Sequence, residues 1–166
     1  MQKLSLSSKA KTLEDLSTVV SLAKILPLYR FYAKDYKNDT SKIVDVIAKE
    51  FKTDVIVRSS SSNEDNHETS NAGGFETVMN VDINDKEALH DAIYNVVKSY
   101  GDGLTDLDEV FVQPMLTEVS MSGVIFSADI DTLSSYYIVN YDESGSTDSV
   151  TIGLSNGLRS FICLKV

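Results

Sequence analysis

From residue 109 onward the sequence is a succession of short β-type runs: EVFVQPML, MSGVIFSAD, SSYYIVNYD, DSVTIGL and RSFICLKV. No helical period interrupts them. The first hundred residues carry the opposite signature. Over 12–26, TLEDLSTVVSLAKIL spaces Leu13, Leu16, Val20, Ala23 and Leu26 as a helix does, with Thr12 as N-cap, acids in the first turn and Pro27 as a stop. SKIVDVIAKEF, 41–51, predicts a second helix capped by Asp39 or Thr40, and the aromatic LYRFYAKDYKND before it fits neither period. TDVIVRSS predicts a buried strand over 53–58. FETVMNV, 75–81, alternates Phe75, Thr77, Met79 and Val81 on one side of another strand. Asn84 or Asp85 caps a third helix with the stripe Ala88, Leu89, Ala92, Ile93, Val96 and Val97. Helices first and strands clustered after them predict an α+β domain with a largely antiparallel sheet. The loop GDGLTDLD, near 101–108, is a candidate hinge between an N-terminal lobe, 1–100, and a β-rich lobe, 101–166.

At 166 residues the chain fits one domain or two small lobes, long enough to bury a core without a disulfide or metal staple. The single Cys163 has no internal partner and is expected as a small buried hydrophobe. One Cys and two His are too few for a zinc site. The net charge of −10 argues against a nucleic-acid backbone as partner. It leaves room for a nucleotide, because local Lys and Arg can make a positive pocket. With no signal-peptide pattern at the N-terminus and no apolar run near membrane length, the expected location is cytoplasmic.

Chemistry concentrates in VIVRSSSSNEDNHETSNAGGFETVMNV, 55–81. Arg58 ends an apolar run, and an arginine there offers a rigid fork of donors suited to phosphate oxygens. Ser59 and the serines after it add hydroxyl and backbone donors. The plainer alternative pairs Arg58 with Glu64, Asp65 or Glu76. Ala72-Gly73-Gly74 permits a backbone anion nest or simply a turn. Lys9, before the first helix, reads either as a phosphate-reaching point charge or as a solvated lysine. Gln113 and Met115 close a β run and suit either a flat-ring contact or a core strand. His67 and His90 read as non-catalytic.

Taken together these segments resemble the N-terminal nucleotide-binding domain of the phosphoenolpyruvate synthase and pyruvate phosphate dikinase family. Val57, Arg58, Ser59 and Ser60, then Glu64-Asp65, Ser70, Ala72, Gly73, Thr77, Asn80 and Val81 follow that family's order. SSKAKTLEDL is similar to its Gly-Gly-Lys-x-x-x-Leu opening, VFVQPML to its Val-Gln-x-Met strand, and SGVIFSAD to its Ser-Gly-Val-x-Phe-Thr-x-Asp segment. The resemblance implies an ATP-grasp-like fold, here truncated, binding ATP with Mg²⁺. Lys9 and Arg58 would then neutralise phosphate charge and act in the transfer. Ser59, the backbone of Ala72, Gly73 and Gly74, and the Thr77 hydroxyl would cradle the phosphates. Gln113 and Met115 would hold the adenine.

The departures are equally specific. Ser7-Ser8 stands where the family has Gly-Gly, Asn71 replaces an aromatic, Gly74 a glutamine and Ile130 a proline. YYIVNYDESGSTDSVTIG occupies the place of a Gly-Leu-Gly-Glu segment. That variant looks more like phosphoenolpyruvate-synthase-like proteins of surface-sugar clusters, including kinases of the glutamine amide. The resemblance implies phosphoryl transfer from ATP through a histidine on another domain to pyruvate or another small acceptor. The alternatives are a kinase acting on glutamine, or a non-catalytic nucleotide- or partner-binding module. Family members are much longer, with a later acidic metal ligand, a Gln-x-Arg segment and a phosphohistidine domain. The expectation is therefore an N-terminal fragment that is inactive alone, partnered by domains of a longer chain. The metal ligands stay unassigned.

Overall fold

A computed structural model describes residues 8–61, 65–66, 69–70, 75–147, 150 and 157–165. Contacts divide the chain into two compact units, Met1–Met115 and Leu116–Val166. The loop at 101–108 lies inside the first of them, and it opens with a 3₁₀ turn at Gly101–Gly103.

The first unit runs α1 (Lys9–Leu16), β1 (Tyr29–Tyr32), α2 (Ala33–Glu50), β2 (Val55–Ser60), β3 (Asp65–Asn66), β4 (Thr69–Ser70), β5 (Thr77–Val81), α3 (Lys86–Ser99) and β6 (Glu109–Pro114). Its main sheet has the order β1-β6-β2-β5, with every pairing antiparallel. The two-residue strands β3 and β4 pair with each other. The expected α+β class with antiparallel pairing is the architecture observed.

One face of this sheet is apolar and covered by helices. Phe31, Val55, Val57, Val81, Val110 and Val112 meet Tyr36, Ile43, Val44 and Ile47 of α2 and Leu89, Ala92, Ile93, Val96 and Val97 of α3. The α3 stripe follows the sequence reading, with Asp85 as cap: its carboxylate accepts from the Glu87 and Ala88 backbone N–H groups at 3.0 Å each. Truncating a fully buried side chain such as Ile93 to Ala costs about 2–5 kcal/mol.

Four expectations change. The first helix starts at Lys9, capped by Ser8 rather than Thr12, and ends at Leu16 instead of reaching Leu26. The hydroxyls of Ser17 and Thr18 donate to the carbonyls of Glu14 and Asp15 at 2.6 and 2.8 Å, and such local bonds compete with helix continuation. The aromatic segment divides into β1 and the start of α2, and Asp39, an expected cap, is a break inside that helix at φ −130 and ψ 35. In β5 the simple alternation fails. Val78 pairs with Val57 and Val81 with Val55, so a bulge falls between them, and Asn80 takes up the extra residue at φ 55. Val81 therefore reaches the core, while Thr77 and Met79 are exposed. The fourth change is Cys163, which lies exposed on the last strand.

The second unit contains β7 (Ser122–Phe126), β8 (Tyr136–Asp142) and β9 (Arg159–Leu164), ordered β7-β8-β9 and antiparallel throughout. Gly123 allows β7 to lie close against β8, because a Cβ there would stand 2.7 Å from the Asn140 carbonyl oxygen. Most of the DSVTIGL run lies outside the described residues.

Candidate functional site

Strand geometry alternates side chains between faces, so β2 divides its residues. Val55, Val57 and Ser59 face the helices. Ile56, Arg58 and Ser60 face the other way. The cross-strand register carries this second face over the whole sheet. Arg58 stands beside Thr77 of β5 and Phe111 of β6, and Phe111 stands beside Arg30 of β1. Thr77, Arg58, Phe111 and Arg30 thus form one row. The row beside it is Ser60, Glu109 and Tyr32, and Ile56 with Gln113 lies on the other flank.

Phe111 is fully buried, yet it is not part of the helix-side core. It packs on the second face, and the Arg58 guanidinium lies over its ring, 5.5 Å from the centroid. Such a cation over an aromatic face gains about 0.5–2 kcal/mol and holds the planar fork at a fixed height above the sheet.

Helix α1 sits on this same face. The Ala10 backbone N–H donates to Ser60 Oγ at 2.9 Å, and the Ser8 hydroxyl donates to Glu109 Oε2. Glu109 also accepts from Arg30 Nη1 at 2.6 Å. Arg30 Nε reaches Glu14 at 3.1 Å, and Lys11 Nζ reaches Glu14 and Asp15 at 3.2 and 2.7 Å. Burial works against the charge of Arg30, but Glu14 and Glu109 outweigh it and raise its pKa. Burial likewise opposes the charge of Glu14, and Lys11 and Arg30 overcome it, holding that carboxyl below its ordinary value. Tyr100, the C-cap of α3, links the two faces. Its hydroxyl accepts from the Ser60 N–H at 2.9 Å and donates to the Glu109 carbonyl at 2.6 Å.

The residues singled out by sequence are placed as follows. Arg58, Thr77 and Gln113 share the second face. Lys9, half-buried, opens α1 on that face. The N–H groups of Ala10 and Lys11 in its first turn are already taken by Ser60 and Ser8. Ser59 is 2% exposed, on the helix-covered face. Gln113 is buried and its Nε2 donates to the Leu26 carbonyl at 3.4 Å. The Met115 N–H donates to the Asp54 carbonyl at 2.8 Å. Ala72, Gly73 and Gly74 lie outside the described residues, as does His67. His90 is on α3, where its Nδ1 meets Asp91 at 3.0 Å and its ring stacks on Tyr94. Among the described residues no cluster of three or more His, Cys, Asp or Glu is arranged to hold a metal ion, and no helix is long and apolar enough to cross a membrane.

Sequence reasoning missed Phe111, Glu109 and Arg30 as members of this face. The period-two signal in EVFVQ and YRFY was present, but it does not say which strands become neighbours.

The sequence profile of the pyruvate phosphate dikinase AMP/ATP-binding domain matches residues 4–102, well over half of the chain. The chain belongs to that family. No individual curated protein matches it. Membership makes this chain an AMP/ATP-binding domain of a phosphotransferase of the dikinase and phosphoenolpyruvate synthase type. The matched residues include Lys9, Arg58 and Thr77, while β6 with Gln113 follows them.

Proposed function

We propose that the Arg58 face of the first unit binds the triphosphate of ATP. The carrying observation is the row Thr77, Arg58, Phe111 on the sheet face that α2 and α3 leave uncovered, with Lys9 brought to that face by α1. Phosphoryl transfer asks a protein chiefly for positioning and for charge stabilisation. Arg58 supplies a planar fork already held against Phe111, and Lys9 a second positive charge. The Thr77 hydroxyl would complete the cradle, together with the backbone of Ala72 to Gly74 that the family resemblance implies. Ser59 supports β2 from the helix side.

Gln113 and Met115 would border the adenine at the far end of β6, in an ATP-grasp-like arrangement. Magnesium would arrive on the nucleotide's phosphates. The activity served is transfer of an ATP phosphoryl group, through a histidine of another domain, to pyruvate or a comparable small acceptor.

The test is calorimetric titration with Mg-ATP. Arg58→Ala is expected to weaken binding about 10- to 100-fold, the scale of hydrogen bonds to a charged group. Thermal unfolding checks that the variant is folded. Equal affinity of the folded variant and the parent protein would remove Arg58 from the site.

A further inference from the structure

Glu109 poses a problem for an anion site. It is 4% exposed, it lies on the Arg58 face, and the register makes it the diagonal cross-strand neighbour of Arg58. Diagonal neighbours on one sheet face are about 7–8 Å apart. A carboxylate there competes with phosphate for the guanidinium. Arg30 pairs with Glu109 at 2.6 Å and so offsets the competition, but a neutral residue would avoid it altogether. The second contact supplies a reason for the acid: Glu109 accepts from Ser8, the N-cap of α1 and the residue directly before Lys9. Ser8 stands at one of the two positions where the relatives resembled in sequence carry glycine.

We propose that Glu109 is a positioning residue for nucleotide binding. Its buried carboxylate, neutralised by Arg30, pins Ser8 to the sheet and thereby fixes the start of α1 so that Lys9 meets the same phosphates as Arg58. The Ala10 to Ser60 bond is the second pin, one strand over. These two attachments flank Lys9 on either side. This inference rests on the phosphate-binding reading of Lys9.

The sign of one substitution separates this role from simple electrostatics. Removing a negative charge beside an anion site tightens anion binding on Coulombic grounds. If Glu109 positions Lys9, Glu109→Gln acts in the opposite direction. ATP affinity is measured by calorimetry for the parent protein, Glu109→Gln, Lys9→Ala and the double variant. The expected result is about a five- to tenfold loss for Glu109→Gln. That loss disappears once Lys9 is already Ala. Ser8→Ala, which removes the other end of the contact, follows the same pattern, and it carries the test if Glu109→Gln shows no cooperative unfolding. Unchanged or tighter ATP binding in folded Glu109→Gln overturns the proposal, as does an equal loss with and without Lys9. Unchanged binding in Lys9→Ala overturns both this proposal and the lysine's phosphate role, whereas a loss there with none in Glu109→Gln and Ser8→Ala overturns the positioning role alone.

Discussion

Tyr36 carries its hydroxyl into the space between α2 and α3 and donates it to the His90 carbonyl at 3.0 Å. Burial pushes this phenol up to about 12, with the charge of Asp91 adding to the shift. The folded state thus keeps the proton that the unfolded chain releases near pH 10.0. A raised folded pKa gives a contribution that is complete below the unfolded value and is lost as pH rises through the folded one. Thermal midpoints measured between pH 9 and pH 12 are expected to fall more steeply for the parent protein than for Tyr36→Phe; parallel curves would show that Tyr36 does not carry the alkaline loss. Cys163 teaches a different residue-scale lesson. Its apolar neighbours in SFICLKV suggest burial, but a three-stranded sheet gives β9 only one strand to lie against, and the thiol is left in solvent.

Helices differ in how far their sequences disclose them. In α3 the cap, the stripe and the buried face agree, because Asp85 satisfies the first-turn donors and the 3.6-residue period matches the contact with the sheet. Asp85→Ala is expected to lower stability by about 0.5–2 kcal/mol, read from the midpoint of a denaturant titration. An unchanged midpoint would mean that water serves the orphan N–H groups equally well. Helix α1 is shorter than its apolar spacing predicts, because the bonds that stop it come from Ser17 and Thr18, residues that a hydrophobic pattern ignores. Strand β5 departs from simple alternation because a single residue, Asn80 at φ 55, absorbs the bulge and turns Val81 to the core. The site followed the same division. Arg58 stands out by residue chemistry and Thr77 only by the family resemblance, and the register sets the two side by side. Glu109, Phe111 and Arg30 join them only through the register of β1 and β6, which no local period encodes.

At the scale of the whole molecule, the net charge is −10, with 15 Lys and Arg in all. Lys9, Arg30 and Arg58 gather at one sheet face, and Arg30 is spent on Glu14 and Glu109. The positive field offered to an anion is therefore local. The first unit also separates its obligations cleanly. One side of the four-stranded sheet makes the core with α2 and α3, and the other carries Arg58 and meets α1. That division between core face and Arg58 face is written into β2 one residue at a time, and it has a consequence for how the gene can vary. In a pooled library covering residues 55–58, polar replacements at Val55 and Val57 should deplete cellular abundance. Replacements at Arg58 should leave abundance near that of the parent and deplete only retention on immobilised ATP. A tolerance profile with a period of two, inverted between the two selections, is the expected signature. Profiles that rise and fall together would mean that this strand's two faces are not independent under mutation.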